Sequence, residues 1–164
     1  MSSPKVAVDT LSAQDPTAIR EVACLELAAW GRPDPAKSVV DERVERLTRM
    51  LAAADPGTQS TFVARVDGVI TGLCRVKQAT DDAKTWALSG LAVASGHRRR
   101  GIGRQLASAC VAFARAQGGA FLVSETHETN ADSVAFHIGV GFSNRGRFTA
   151  ADGDRKVAFQ IKVN

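Results

Sequence analysis

The sequence predicts an α+β fold: a mixed sheet with helices packed on it, in the order β-α-α-β-β-β-α-β-α-β-β. Two hairpins and one strand-helix-strand unit carry that prediction. The early hairpin turns at Asp67-Gly68, a dipeptide suited to a tight two-residue turn, and the late one turns over "ADGD", Ala151 to Asp154. The strand-helix-strand unit lies between them. Hairpins before and after it imply a mostly antiparallel mixed sheet and exclude a doubly wound one.

Lys5 to Thr10 alternates apolar and polar residues, as a half-buried strand does. Asp15-Pro16 then supplies an N-cap and a first-turn proline for a helix whose apolar positions are Ile19, Ala23, Leu27 and Trp30. "GRPDPAK" breaks that helix. Val40, Val44, Leu47 and Leu51 stripe a second one, which "DPG" ends. "STFVARV" and "VITGLCRVKQA" flank the Asp67-Gly68 turn, and "TDDAKT" leads into a strand over Trp86 to Ala94. A third helix starts within "GHRRRGIGRQL", with Ile102, Leu106, Cys110 and Phe113 on one face. Gly118-Gly119 stops it. "AFLVSET" is the next strand, Asn130 to Gly139 a fourth helix, and Phe142 to Thr149 and Val157 to Val163 the closing strands.

At 164 residues, with no repeat or linker, the chain reads as a single domain, 1–164. No apolar stretch reaches the roughly 18 residues of a membrane span, and "MSSPKVAVDT" lacks the apolar region of a signal peptide. The expected location is the cytoplasm, with no membrane partner. Cys24, Cys74 and Cys110 are odd in number and widely spaced, which suggests neither a disulfide framework nor a CxxC metal site. No metal is expected.

The net charge of +4 comes from 21 basic and 17 acidic residues, and Arg98 to Arg104 holds four arginines and no acid. The formal excess therefore sits in one short stretch. A single focus of charge fits a small polyanion better than a nucleic acid, and with 5% aromatics and no tyrosine there is no base-stacking motif beside it. Gly96 to Gly101 has P-loop spacing, but Ile102-Gly103 stand where Lys-Ser/Thr is required. Gly101-Ile102-Gly103 opens a GxGxxG in which Leu106 replaces the third glycine. What remains is a strand, a basic loop, two glycines and a helix start. Such a start presents about four unpaired N–H groups and a partial positive charge, and glycine lets a phosphate approach them closely. A solvated helix start with surface arginines is the alternative.

"LAVASGHRRRGIGRQL" resembles the acyl-CoA signature of the GNAT superfamily of N-acyltransferases, Q/R-x-x-G-x-G/A. Arg98, Arg99, Arg100, Gly101, Ile102 and Gly103 fit it residue for residue. "ETNADSVAFHIGVGF" resembles the family's Asn-x-x-Ser/Ala…Gly-Phe segment, through Asn130, Ser133, Gly141 and Phe142. One strand separates the two blocks, as in that fold, and the element order matches over nearly the whole chain. The resemblance implies a GNAT-like sheet with helices on both faces and acetyl-CoA as cosubstrate. It implies that the backbone of Leu91, Ala92 and Val93 pairs with the pantetheine arm. Amides from about Arg99 to Arg104 would hold the pyrophosphate. Asn130, with Ser133 in the same motif, would meet the pantetheine or phosphate region; a plain helix N-cap is its other reading.

The resemblance also implies acetyl transfer to a primary amine, which must lose a proton from an ammonium of pKa near 10. Glu125 is the candidate base, with a carboxyl raised by partial burial; His127 and Glu128 are its rivals. The family often protonates the departing thiolate with a tyrosine, and this chain has none. His137, four residues before Gly141, is the candidate donor, with a helix-packing histidine as the alternative. A CoA thiol of pKa roughly 8.5 makes such an acid helpful and not indispensable. No cysteine falls in either block, so direct attack in a ternary complex is expected.

The loops "AAWGRPDPAK" and "ATDDAKT" mark the acceptor side. Trp30 is a candidate wall there, and Asp34, Asp81, Asp82, Glu125 and Glu128 are acids able to attract a cationic acceptor. "SETHETN" with "FHIGVGF" is similar to aminoglycoside acetyltransferases; other small amines and peptide amines, N-terminal or lysine, stand beside that reading. A non-catalytic acyl-CoA-binding regulatory module and a nucleic-acid binder are the alternatives from other classes. A homodimer paired through a sheet edge is allowed, and no residue marks its interface.

Overall fold

A computed structural model describes residues 5–163; residues 1–4 and 164, included in the expected domain bounds, lie outside the described residues. The elements are β1 (Val6–Thr10), α1 (Pro16–Ala29), α2 (Lys37–Ala52), β2 (Gln59–Val66), β3 (Val69–Gln78), β4 (Thr85–Val93), α3 (Ile102–Ala116), β5 (Phe121–His127), α4 (Ala131–Gly139), β6 (Ser143–Thr149) and β7 (Arg155–Lys162). A short 3₁₀ turn at Ser95–His97 joins β4 to α3. The order is the one the sequence predicts, with boundaries moved by one or two residues.

The strands form a seven-stranded sheet in the order β1-β2-β3-β4-β5-β7-β6. β1 pairs antiparallel with β2, as β7 does with both β5 and β6, while β4 and β5 run parallel. The parallel ladder is short, from Thr85↔Phe121 to Ala87↔Val123. The β2–β3 turn has both central residues in the left-handed region, Asp67 at φ 51° and Gly68 at φ 83°. That geometry matches the twist of a two-residue hairpin.

The chain forms two compact units. The first runs to Arg75 and resumes over Gly90–Cys110. In it Asp15 caps α1 by accepting from the Ala18 amide at 2.9 Å, and Ile19, Val22, Ala23 and Leu25 turn inward. They pack with Leu47 of α2, Val63 of β2 and Ile70 and Leu73 of β3, with Val44, Leu51, Ala92 and Ala94 against the edge of that core. Gly72 fixes where α3 begins. A Cβ on Gly72 would meet Ile102 Cγ2 and Leu106 Cδ1 at 3.0 Å and the Ala92 carbonyl at 3.2 Å, so the first turns of α3 press directly on β3.

The second unit holds Val76–Ser89 and the described chain from Val111 on. Its core includes Trp86, Leu88, Ala114, Leu122, Phe142, Val157 and Phe159. Trp86 meets Phe113 edge to face at 5.5 Å. Gly118 closes α3 at φ 78°, and Gly119 lies against the indole, where a Cβ would come within 2.6 Å of the ring. All three cysteines are free thiols.

Candidate active site

In the first unit the chain leaves β4, makes the 3₁₀ turn and enters α3 through the arginine run. Arg98 is extended, with its Nε donating to the Val93 carbonyl at 3.2 Å. Arg99 (φ 61°) and Gly101 (φ 78°) are both left-handed, a geometry that is strained for arginine and free for glycine. The first helical bond runs from the Gln105 amide to the Gly101 carbonyl at 3.1 Å. Gly101 has no side chain with which to cap the helix, and the first turn of α3 contains no acid. Nothing lies within 4 Å of where a Gly101 Cβ would be. Ile102 is buried beneath this turn, Gly103 is half-buried, and Arg98, Arg99, Arg100 and Arg104 are exposed. Leu91, Ala92 and Val93 are half-buried on the strand leading in, beyond the ladder to β5, which ends at Ala87. A left-handed, open, acid-free helix start fits a phosphate group.

The same unit holds a charged cluster that the sequence reading missed. Glu26 is only 2% exposed. Its Oε2 accepts from Arg43 Nε at 2.7 Å and lies 2.5 Å from Arg43 Nη2. Its Oε1 lies 2.6 Å from Arg75 Nη2. Arg43 also stacks on Trp30, with its guanidinium carbon 4.8 Å from the ring centroid. Trp30 is 60% exposed and is not a core residue. One signal was present: Glu26 occupies the inward stripe of α1, three residues after Ala23. Its partners, 17 and 49 residues further on, carry no local signal.

In the second unit β5 and α4 place the catalytic candidates. Glu125 opposes Ala158 across the β5–β7 ladder, and Lys156 reaches it diagonally, Nζ to Oε1 at 2.6 Å. The expected partial burial of Glu125 is not found: its side chain is 52% exposed. His137 is buried on α4, stacked on Phe159 at 4.5 Å with Phe136 and Phe142 edge-on. Its Nδ1 lies 2.7 Å from the Ser133 carbonyl and its Nε2 2.8 Å from Ser124 Oγ. The carbonyl can only accept, so Nδ1 carries the proton, and in the neutral ring Nε2 accepts from the Ser124 hydroxyl. Desolvation lowers the His137 pKa from its ordinary 6.5, partly offset by the Ser133 bond. Asn130 is the N-cap of α4, its Oδ1 accepting from the Ser133 amide at 3.1 Å.

The remaining acids have structural partners or lie in loops. Asp82 accepts from Thr85 Oγ1 and the Lys84 amide, closing the turn before β4. Glu128 pairs with Arg155 at 2.9 Å, His127 Nδ1 lies 3.7 Å from Asp154, and Asp34 is exposed between α1 and α2. Among the described residues no group of three or more His, Cys, Asp or Glu is placed to hold a metal ion, and no helix is long and apolar enough to cross a membrane.

Comparison with known proteins matches residues 21–142 to the profile of the Acetyltransferase (GNAT) family. N-acetyltransferase 8B of Rattus norvegicus is 35% identical over 77 residues, which is 47% of this chain and 35% of that protein. The chain spans less than half the length of the curated relatives it matches. Among solved structures, a protein from Desulfovibrio desulfuricans assigned to the GNAT acetyltransferases superposes with a TM-score of 0.76 at 24% identity, over 98% of this chain and 100% of that one. An aminoglycoside 6'-N-acetyltransferase complexed with coenzyme A gives 0.74 at 16% identity, over 96% and 97%. At these identities the solved structures show a shared fold.

Proposed function

Because the chain belongs to the GNAT acetyltransferase family, we propose that it moves an acetyl group from acetyl-CoA to a primary amine by direct attack in a ternary complex. The observation that carries this is the start of α3: a left-handed Gly101 with open space at its missing Cβ, no acid in the first turn, and arginines on either side. Acetyl-CoA supplies the activated acyl group and a thiolate that leaves near neutral pH. The chain's part begins with phosphate. Amides from Arg99 to Arg104 hold the pyrophosphate, and the exposed guanidiniums of Arg99 and Arg100 add charge-assisted contacts. Arg98 acts differently, since its Nε bond to Val93 braces the end of β4. The backbone of Leu91 to Val93 pairs with the pantetheine arm, supported by the ladder to β5 ending at Ala87.

Glu125, an exposed carboxylate that Lys156 holds in place, takes the proton that the acceptor's ammonium gives up, directly or through water, and the free amine then attacks the thioester carbonyl. His137 is assigned a positioning role. Both its nitrogens are engaged, and neutral Nε2 has no proton to give a thiolate. Its bond to Ser124 anchors β5 at the residue beside Glu125. The proposal takes 1–164 as one catalytic domain working in the cytoplasm. The narrower acceptor reading, an aminoglycoside-like amine, has the resemblance of "SETHETN" and "FHIGVGF" in its favour.

Calorimetric titration with acetyl-CoA is the test. Saturable binding is expected below about 1 mM, the upper end of ordinary enzyme affinities. Absence of heat at that concentration overturns the reading. Gly103→Pro is expected to abolish binding, and thiol release across a panel of amines then separates an enzyme from a binding module.

A further inference from the structure

Resting on that reading, we propose that the acceptor is a primary amine on an extended, uncharged, apolar or aromatic body. It lies across β5, β7 and β6, with its nitrogen at Glu125 and its body against Phe148. Strand register carries this. In the second unit α3 and α4 pack on one face of the sheet: Trp86 meets Phe113 of α3, and Ser124 and Phe159 meet His137 of α4. Successive side chains of a strand point to opposite faces. Glu125, next to Ser124, and Lys156 and Ala158, which alternate with buried Val157 and Phe159, therefore share the other face. The 2.6 Å pair between Lys156 and Glu125 is made there.

On that face the ladders align two rows. In one, Glu125 opposes Ala158 and Ala158 opposes Gly146 of β6. In the row beside it, Lys156 opposes Phe148. Side chains directly opposed across strands are neighbours, about 4.5–5.5 Å apart at Cβ. The first row thus steps down from a carboxylate to a methyl group and then to bare backbone, while the second stands taller along its flank. Nothing lies within 4 Å of where a Gly146 Cβ would be. The result is a shallow trough that opens at β6, the last strand of the sheet, and ends at Glu125. Two strand spacings give it a length of about 10 Å.

The trough is accessible. The Glu125 side chain is 52% exposed, Phe148 is 38% exposed, Gly146 is exposed and Ala158 half-buried. Lys156 engages Oε1 of Glu125, and Oε2 remains for the incoming ammonium. Beyond that carboxylate, the Ala158 methyl and the Phe148 ring favour an apolar or aromatic body. Among the described residues of the three strands, Glu125 is the one acid on this face. A second ammonium on the acceptor would find no carboxylate along the trough and would lie beside Lys156, whose like charge repels it.

The experiment measures thiol release from acetyl-CoA across straight-chain primary amines of increasing length, with phenylalkyl amines beside them. kcat/KM is expected to rise about two- to fourfold per methylene until the body reaches about 10 Å, and then to level off. An α,ω-diamine should fall below the monoamine of the same length. Phe148→Ala should raise KM for phenylalkyl amines about two- to tenfold, and Phe148→Leu should restore use of the alkyl series alone. Ala158→Leu, which fills the trough, should lower kcat/KM for the longest amines about tenfold more than for ethylamine. Calorimetric affinity for acetyl-CoA should be unchanged in these variants. Should melting curves show Ala158→Leu unfolded, the wild-type length series and the Phe148 variants on the edge strand decide. A flat length series in the wild type overturns the inference, as does a diamine preferred to its monoamine or an unchanged KM in Phe148→Ala. Failure to bind acetyl-CoA, or to release thiol with any amine, overturns the acetyltransferase reading instead, and the inference falls with it.

Discussion

His137 is held in one tautomer by two hydrogen bonds, and its pKa lies below 6.5 because burial penalises the charged ring. The unfolded chain therefore takes up this proton more readily than the folded one. Its contribution to stability is complete above about pH 6.5 and is lost as pH falls through the lower folded value. Melting temperature is expected to drop as pH falls below about 6.5, and His137→Phe should remove part of that drop while costing about 1–3 kcal/mol for the unpaired Ser124 hydroxyl. Identical pH dependence in the two proteins would refute the assignment. For Glu125, Glu125→Gln should lower turnover by about 10²- to 10⁴-fold with acetyl-CoA affinity unchanged; unaltered turnover removes it as the base. Both residues were legible by position in the sequence, and their surroundings were not. Lys156 reaches Glu125 only through the β5–β7 register, which no local pattern contains.

At the scale of elements, α3 was legible from start to stop because its signals are contiguous: glycines before it, an apolar stripe within it, two glycines after it. Its seat on β3 was not. Gly72 reads as one more residue in a strand, yet it is the point where Ile102 and Leu106 come down. Gly72→Ala is expected to cost about 1–3 kcal/mol through overpacking. It should also weaken acetyl-CoA binding, because relief requires the first turns of α3 to move. Gly101→Ala provides the contrast. Space is open there, so the cost is conformational, about 1–2 kcal/mol for a left-handed alanine. Chemical denaturation with calorimetry on both variants separates the two causes, and equal stability of wild type and Gly72→Ala would refute the packing argument.

For the molecule as a whole, ligand linkage gives the broadest check. Acetyl-CoA at a hundred times its Kd should stabilise the folded chain by about 2.7 kcal/mol, read as a rise in melting temperature; no rise would contradict the cradle. The element order, both hairpins and the glycine- and arginine-rich helix start followed from sequence alone, because periodicity, turn chemistry and a contiguous motif are local properties of the chain. The tertiary structure alone decided the Lys156 partner of Glu125, the two bonds of His137 and the meeting of Glu26, Arg43 and Arg75. Helical spacing shows that Glu26 faces inward; only packing, which joins residues far apart along the chain, determines what charge it meets there.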